Sequence, residues 1–312
     1  MESVFGGIEA GGTKFVCMLG TGPDNVIDQS VIPTTSPEET LEGVAGFFVE
    51  ASLGINLAAV GIASFGPIDP DPRSSGYGRI TTTPKPGWRD TNIVGVLKGA
   101  LGVDVGFDTD VNGAALGEGT WGAGRGADPL LYVTVGTGVG GGAIVGGNPI
   151  HGMLHPEMGH LPVRLHPDDS FEGACTFHGQ CLKGMVSGPA LAVRLGNSPD
   201  LVGADDPAWG FTAEYVAQGL LAMAYVLSPQ RIVLGGGVMN HAGLRERVQK
   251  RIVDLNNQYV AVPQLGVDID RYVVAPGLGT RSGVLGALEI ARRTYTATAT
   301  PSREPALSAG KG

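Results

Sequence analysis

Two stretches of this 312-residue chain share one layout, and this repetition restricts the possible folds more than any other feature of the sequence. They are GGIEAGGTKFVCMLG, residues 6–20, and LYVTVGTGVGGGAIVGG, residues 131–147. Each consists of an apolar run, a glycine-rich turn and a second apolar run, a pattern that predicts a β-hairpin. A single hairpin of this kind is ordinary. Two of them, one near the start of each half, indicate a duplicated architecture with one glycine turn per lobe.

Other segments favour the α/β class. Ser36 and Pro37, followed by two glutamates, predict the start of a helix. Strands are predicted at 58–66 and 103–112, a buried helix at 214–227, and a strand with a glycine turn and a helix start at 231–239. We expect an N-terminal lobe at 1–115 and a C-terminal lobe at 116–293. A last helix at 286–293 would pack on the first lobe, and residues 294–312 would form a flexible tail.

Composition excludes two classes of function. A formal net charge of −9 with 16% charged residues argues against a nucleic-acid-binding protein. No apolar run reaches about 18 residues, so no membrane span is predicted, and we expect a cytoplasmic protein. Three cysteines are too few for a disulfide framework.

Three glycine-rich turns are candidates for ligand contact. Gly11, Gly12, Thr13 and Lys14 can direct successive N–H groups at a phosphate, and Gly136-Thr137-Gly138 invites the same interpretation. The alternative for both is a plain hairpin turn, since a lone glycine-rich loop is a weak signal. Gly235-Gly236-Gly237 would let a flat ligand approach the backbone, or would serve close packing of a helix on a strand.

The segment DTDVN, residues 108–112, ends a predicted strand and precedes a predicted helix. A carboxylate there would face the cleft that α/β folds form beyond the strand ends. Phosphoryl transfer needs a group that takes the proton of the attacking hydroxyl, and an aspartate can fill that role. Asp108 and Asp110 both qualify, and the competing interpretation makes one of them the N-cap of the following helix.

A set of metal-ligand residues follows in the second half: His160, Cys175, His178 and Cys181. Two thiolates and two imidazoles suit a closed tetrahedral Zn²⁺ site, which would stabilise an irregular loop rather than take part in chemistry. A Cys175–Cys181 disulfide is the competing explanation, which a cytoplasmic protein disfavours.

Four further residues near these motifs have open interpretations. Glu157, close to His160, could accept hydrogen bonds from sugar hydroxyls. Trp88 could stack on a sugar or anchor the core. His151 and His155 have no partner that spacing identifies, and we expect both to be surface or loop histidines.

The ordered set of motifs resembles the ROK family of sugar kinases and repressors over residues 4–292, and within it the zinc-containing bacterial fructokinase branch. The motifs that carry the resemblance are GGIEAGGTKFVC (6–17), ASFGPID (63–69), TTTPKPGW (81–88), TDVNGAALGE (109–118), GTGVGGG (136–142), HPEMGH (155–160), CTFHGQCLKGMVSGPA (175–190) and LGGGVM (234–239).

The resemblance implies an actin-like, ribonuclease H-like fold of the hexokinase type, with a hexose and ATP·Mg²⁺ bound in a cleft between the lobes. Asp110 matches the family's catalytic base. Sugar contacts are implied for Gly66, Asn112, Glu157 and His160, and zinc ligation for His160, Cys175, His178 and Cys181. ATP contacts are implied for Gly11 to Lys14, Gly136 to Gly138 and Gly235 to Gly237, and a homodimer is a family-level expectation.

The expected activity is ATP-dependent phosphorylation of a hexose at its primary hydroxyl, with D-fructose as the first candidate. Mannose, glucose and N-acetylated hexoses are alternatives, because the orientation of one hydroxyl is decided by pocket shape. A sugar-sensing ROK protein without enzyme activity is a distant alternative; it would carry a DNA-binding domain before the first hairpin. Three residues depart from the common family pattern: Glu9, Lys183 and Thr280.

Overall fold

A computed structural model describes residues 3–199, 202–203 and 205–299, which form two five-stranded β-sheets and a two-stranded one with helices around them. The strands are β1 (Val4–Ala10), β2 (Lys14–Gly22), β3 (Asn25–Pro33), β4 (Leu57–Ser64), β5 (Arg79–Ile80), β6 (Thr91–Asn92), β7 (Asp104–Thr109), β8 (Leu130–Val135), β9 (Val139–Val145), β10 (Asn148–Pro149), β11 (Arg231–Gly235) and β12 (Val273–Val274). The α-helices are α1 (Pro37–Ala51), α2 (Ile93–Leu101), α3 (Asp110–Trp121), α4 (Leu182–Val186), α5 (Gly188–Leu195), α6 (Pro207–Leu227), α7 (Leu244–Asn256), α8 (Ile269–Tyr272) and α9 (Ser282–Ala299).

The two five-stranded sheets have the same strand order. The first sheet runs β3-β2-β1-β4-β7 and the second sheet runs β10-β9-β8-β11-β12. In each, the first three strands are antiparallel neighbours and the last two join in parallel. The duplication predicted from the two glycine-turn hairpins is confirmed, since β1–β2 and β8–β9 occupy equivalent places.

Both hairpins close through short backbone hydrogen bonds. In the first, Gly11 N–H donates to the carbonyl of Lys14 at 3.0 Å, and in the second Gly136 N–H donates to the carbonyl of Gly138 at 2.8 Å. Residues such as Ile8 and Phe15 are fully buried under the first sheet. The hairpins therefore form because their apolar strands bury side chains while their glycines make the turn.

Helix α1 begins as its sequence predicts. The Ser36 side chain accepts a hydrogen bond from Glu39 N–H, and Pro37 is the first helical residue. Leu41, Val44 and Phe48 recur at helical spacing and are buried against the first sheet.

The helix that follows the fifth strand of each sheet packs across the seam between the sheets. Helix α3 follows β7 and contacts β8 and β9 of the second sheet, whereas α9 follows β12 and contacts β1, β4 and β7 of the first. The chain thus passes between the sheets twice. The division of the lobes near residue 115 falls inside α3 and stays a prediction.

Two predicted boundaries were wrong. Helix α3 begins at Asp110 rather than after Asn112, because Thr109 caps it by accepting a hydrogen bond from Asn112 N–H. The predicted tail from 294 is helical as far as Ala299. There the hydroxyls of Thr294, Thr296 and Thr298 donate to carbonyls one turn earlier, so a polar sequence stays in the helix. Residues 300–312 lie outside the described residues.

A row of glycines explains how closely α9 approaches the first sheet. Gly7, Gly61 and Gly106 stand side by side on β1, β4 and β7. A Cβ on Gly7 would lie 2.6 Å from the carbonyl oxygen of Val284, and one on Gly61 would overlap the carbonyl of Ala287. Part of the glycine content therefore serves helix–sheet contact rather than turns or ligands.

Among the described helices, none combines the length and the apolar character that crossing a membrane requires.

Candidate active site

A cavity of ≈ 650 Å³ lies where the ends of β1, β7 and β11 meet, and we call it the carboxylate cavity. Its walls include the first glycine turn, the first residues of α3 and the end of β11. The predicted site residues that line it are Gly11, Gly12, Thr13, Lys14, Asp110, Gly235, Gly236 and Gly237. Segments more than 200 residues apart in the chain therefore meet in one space, as the resemblance implied.

Asp110 is the first residue of α3 and presents a carboxyl group to this cavity. Its Oδ1 accepts a hydrogen bond from the N–H of Val111 at 2.9 Å. Burial raises the pKa of Asp110 to about 6, and the negative charge of Glu157 adds to the rise, while backbone hydrogen bonds oppose it. A carboxyl group with this pKa is well suited to accept a proton near neutral pH.

Glu9 is a second carboxyl group in the carboxylate cavity and was not among the predicted site residues. Burial, and to a lesser extent the negative charge of Asp110, raise its pKa, while the positive charge of Lys14 opposes the rise. The resulting pKa is about 7. A Cβ at Gly283 would lie 2.6 Å from Glu9 Oε1, so glycine at 283 leaves the space that this carboxyl occupies. Its place at the end of β1, directly before the glycine turn, was the signal available in the sequence.

Asp108, the other candidate base, is buried away from this cavity. Its Oδ1 accepts hydrogen bonds from Thr109 N–H at 2.7 Å and from Asn112 Nδ2 at 2.8 Å. The ring of His151 lies against the same carboxylate, with 3.0 Å between Nε2 and Oδ2. Neither aspartate is the N-cap of α3, because Thr109 takes that place.

Asn112 itself is almost fully buried, and its Oδ1 has no hydrogen-bond partner among the described residues. A buried amide oxygen without a partner is unusual and marks a place where a ligand hydroxyl or water would be accommodated.

A second cavity of ≈ 770 Å³ adjoins the first, and we call it the aromatic cavity. Gly136 and Thr137 line it, and Gly237 lines both cavities. On its wall the rings of Trp209 and His241 stack at 3.7 Å with an interplanar angle of 15°. His241 Nε2 is buried with no partner in the part of the chain that the structure describes.

The remaining glycines differ in what they do. Gly138 is not among the residues that line either cavity and lies close to the side chain of Lys183. A Cβ on Gly235 would lie 2.6 Å from Pro276, so this glycine serves packing. Gly236 has φ of 97°, a conformation that favours glycine, and a Cβ on Gly237 would meet open space. Packing thus explains Gly235, and ligand contact at Gly237 stays a prediction.

The predicted metal ligands lie together. Four side chains place their ligand atoms within 4.8 Å of one another: His160, Cys175, His178 and Cys181. His160 Nδ1 is 3.8 Å from Cys175 Sγ and 3.6 Å from Cys181 Sγ. A tetrahedral zinc site with ordinary bond lengths separates nitrogen and sulfur by about 3.6 Å. Both cysteines are free thiols, and the cluster could hold a metal ion.

Local structure brings these ligands together. His160 ends a 3₁₀ turn, Cys175 begins a tight turn that Gly179 closes, and Cys181 precedes α4. His160 directs Nδ1 into the cluster, which leaves its other ring nitrogen outside it.

The loop of Gly66 lies beside the segment that carries Glu157. The N–H of Ile68 donates to His155 Nε2 at 3.2 Å, and a Cβ on Gly66 would lie 3.6 Å from the same nitrogen. His155 lies in a loop, one of the two expected places, but not at the surface, because its side chain is only 7% exposed. Its partner Ile68 lies in the loop after β4, 87 residues away, and spacing within the sequence cannot identify it.

Trp88 anchors the core and has no exposed surface. It packs against Phe15 and Phe65, and its indole N–H donates to the carbonyl of Thr35 at 2.9 Å. Of the two interpretations of this residue, stacking on a sugar is therefore wrong. His151 is partly exposed, as expected, but is bonded to Asp108.

Comparison with known proteins identifies the family of this chain. A profile of the ROK family matches residues 5–294. The fructokinase of Zymomonas mobilis is 43% identical over 296 residues, which cover 93% of this chain and 97% of that protein. The fructokinase of Lactococcus lactis subsp. cremoris is 40% identical over 298 residues, or 95% and 99% of the two chains.

A solved structure shows the same architecture. The ROK hexokinase from Thermus thermophilus superposes with a TM-score of 0.76 at 28% identity, covering 93% of this chain and 98% of that one. The fold is the actin-like, two-lobe fold of sugar kinases, and the chain belongs to the ROK family.

Proposed function

We propose that this protein transfers the terminal phosphoryl group of ATP to the primary hydroxyl of D-fructose and so forms fructose 6-phosphate. The observation that carries the proposal is the Asp110 carboxyl group, with its raised pKa, in a cavity that the first glycine turn also lines. The fructokinase names of relatives at 40–43% identity support fructose as the sugar.

Asp110 acts as the base in this scheme. Its carboxylate accepts the proton of the sugar's primary hydroxyl while that oxygen attacks the γ-phosphorus. The bond from this phosphorus to the bridging oxygen of ADP breaks, and ADP leaves with the electron pair. Positioning and charge stabilisation supply most of the rate acceleration, since the protein forms no covalent bond with the substrate.

The backbone around the carboxylate cavity suits phosphate oxygens. Gly12 leaves open space at its Cα, and Thr13 and Lys14 add a hydroxyl and an ammonium group. The first turn of α3 also lines this cavity, and the N-terminus of a helix favours negative charge.

Glu9 is the oxygen donor that would hold Mg²⁺ with the nucleotide, and this leaves the Asp110 carboxylate free to act as the base. When bound, Mg²⁺ neutralises charge on the phosphate oxygens. Two carboxyl groups in one cavity suit a hard cation, because without a cation each carboxylate makes ionisation of the other less favourable.

The aromatic cavity is proposed for the adenosine part of ATP. It adjoins the carboxylate cavity at Gly237 and Asn240, and its Trp209–His241 stack offers an apolar wall. The ring of His241 lines this cavity and would contact the nucleoside. Gly136 and Thr137 lie at its edge, where the second glycine turn approaches the nucleotide.

The sugar is proposed to lie between Asp110 and the segment that carries Glu157 and His160. The negative charge of Glu157 adds to the raised pKa of Asp110, so the two carboxyl groups lie within electrostatic range of each other. Asn112, with its unpaired Oδ1, and the Gly66 loop complete the proposed contacts. Carboxylate and amide oxygens accept hydrogen bonds from sugar hydroxyls.

Zinc is the proposed occupant of the four-ligand cluster, because two thiolates and two imidazoles form a tetrahedral donor set of the kind zinc prefers. Four protein ligands leave no open position, so the ion would be structural. It would hold the loop between His160 and Cys181 and, through His160, the wall of the sugar site.

An ADP-release assay with fructose, mannose, glucose and N-acetylated hexoses tests the function. We expect the highest kcat/KM with fructose and weaker use of mannose. ADP formation with none of these sugars would overturn the kinase assignment. A clear preference for another hexose would keep the kinase and reject fructose.

Metal analysis of the same preparation tests the zinc proposal separately. We expect about one zinc per chain, lost in the Cys175→Ser variant and retained in the matched control Cys17→Ala. Cys17 is a buried thiol in the apolar strand β2, remote from the cluster. Protein that is fully active without bound metal would contradict the structural role.

A further inference from the structure

The chain crosses between the two sheets through two segments that meet beside the carboxylate cavity. The first crossover, residues 122–129, leads from α3 to β8, and the second crossover, residues 275–281, leads from β12 to α9. Ala275, Pro276, Gly279 and Thr280 of the second crossover line the cavity, opposite Asp110 at the start of α3. The relative position of the crossovers therefore bears on the shape of this site.

Glu118 of α3 is fully buried where the two crossovers meet. Its Oε2 accepts hydrogen bonds from the N–H of Ala123 at 2.7 Å and of Gly277 at 2.9 Å. Its Oε1 accepts from the N–H of Leu278 at 3.0 Å and the hydroxyl of Ser282 at 2.6 Å. One carboxylate is thus bonded to the first crossover, the second crossover and the start of α9.

The surrounding contacts leave little freedom at this junction. The carbonyl of Glu118 accepts hydrogen bonds from the N–H of Gly122 and of Gly124, each at 3.0 Å. A Cβ on Gly277 would lie 2.6 Å from the nitrogen of Ala123, and one on Gly122 would overlap the Glu118 carboxylate. The crossovers touch, and the carboxylate between them bridges the contact.

A second buried carboxylate at the same seam shows what is particular to Glu118. Glu289 of α9 is also buried, but it pairs with Arg292 at 2.6 Å and Arg293 at 2.9 Å on its own helix. Those pairs stabilise one helix locally. The partners of Glu118 belong to both segments that connect the sheets and to the start of α9, and the second crossover and Ser282 line the carboxylate cavity.

We infer that Glu118 is a positioning residue for catalysis: it holds the second crossover against α3 and so sets the nucleotide-binding geometry on lobe closure. The inference rests on the proposed function, because its readouts are nucleotide kinetics. Its physical basis is that a buried carboxylate with four donors loses its bonds if either crossover moves away.

The variant Glu118→Gln keeps the size of the side chain and changes its hydrogen bonding. In the amide, an NH₂ group replaces one of the two carboxylate oxygens. This NH₂ group would face hydrogen-bond donors that the replaced oxygen accepts from in the wild type. At least one backbone N–H of the crossovers loses its acceptor and faces the NH₂ group, so the crossovers are no longer held in one position. Glu289→Gln is the matched control, since it removes a buried charge at the same seam without touching either crossover.

Steady-state kinetics with fructose and ATP, well below the unfolding temperature of each variant, measure the effect. For Glu118→Gln we expect the KM for ATP to rise about tenfold, with a smaller change in the KM for fructose. We also expect more ATP hydrolysed per fructose phosphorylated, because incomplete closure admits water. Lower stability by itself would change neither the ratio of the two KM values nor this coupling.

Ser282→Ala is a second variant that tests the same inference if Glu118→Gln fails to fold. It keeps the carboxylate and its three backbone bonds, and we expect the same changes in the same direction at smaller size. If the wild type is active and both Glu118→Gln and Ser282→Ala match Glu289→Gln in KM for ATP and in coupling, the inference is wrong. A wild type without sugar-dependent ADP release would instead reject the proposed function.

Discussion

The first and second sheets share one strand order, yet among the described residues both carboxyl groups that line the carboxylate cavity come from the first half of the molecule. Glu9 and Lys14 flank the first glycine turn, and Asp110 begins the helix after β7. The second half contributes Arg245 to that cavity, and its glycine turn offers only Gly136 and Thr137 to the aromatic cavity. A duplicated fold can thus divide its roles, with carboxyl groups from one half and a backbone turn without them from the other.

The two crossing helices show the same division. Helix α3 starts with a carboxyl group, whereas α9 starts with Ser282 and Gly283 at the same cavity. A carboxylate in the first turn of α9 would face Glu9 and Asp110, and like charges at such distances raise one another's pKa. Gly283 instead leaves room for the Glu9 side chain.

The largest expected effect follows from removing the Asp110 charge. We expect Asp110→Asn to lower kcat by at least about a hundredfold, because the amide cannot accept the hydroxyl proton. Fructose binding, followed by isothermal titration calorimetry, should persist. Turnover near that of the wild type would show that the first half does not supply the base.

The next effect concerns the glycine row that seats α9 on the first sheet. We expect Gly61→Ala to lower the free energy of unfolding by about 3 kcal/mol, because its Cβ would overlap the carbonyl of Ala287. Gly99→Ala is the control: its Cβ meets open space inside α2, and we expect a gain of up to about 1 kcal/mol. Urea unfolding of both variants measures the difference, and equal effects would contradict the close approach of α9.

The smallest effect is on pH dependence. The pKa of Asp110 is raised to about 6. At pH values between the ordinary pKa of an aspartate and about 6, its carboxyl group therefore keeps its proton and cannot act as a base. We expect kcat/KM to fall about tenfold per pH unit below this pKa. The Glu157→Gln variant should move the midpoint to lower pH, because the Glu157 charge contributes to the rise. A flat profile between about pH 5 and 7 would argue against Asp110 as the titrating base.

Much of the fold was predictable because its signals are local. Apolar runs on both sides of glycine turns predicted both hairpins, and Ser36 with Pro37 predicted the start of α1. The spacing of Cys175, His178 and Cys181 likewise predicted a cluster, since a short loop keeps such ligands close.

The residues that sequence reasoning missed depend on partners far away in the chain. Glu118 is hydrogen-bonded to Gly277 and Leu278, and His155 is hydrogen-bonded to Ile68. The residues next to Glu118 and His155 in the sequence do not reveal these partners. The helical state of residues 294–299 was missed because threonines have low helix propensity, which side-chain hydrogen bonds and packing override here.

The sequence by itself determined the hairpins, the duplication and the set of groups available for chemistry, because turn formation and apolar periodicity act between near neighbours. Only the tertiary structure decided which aspartate reaches the cavity and which is buried against Asn112 and His151. Asp108 and Asp110 are two residues apart, and the start of α3 between them turns one carboxyl toward the cleft. That choice depends on where the helix begins, which the cap at Thr109 and the packing of α3 on the second sheet establish together.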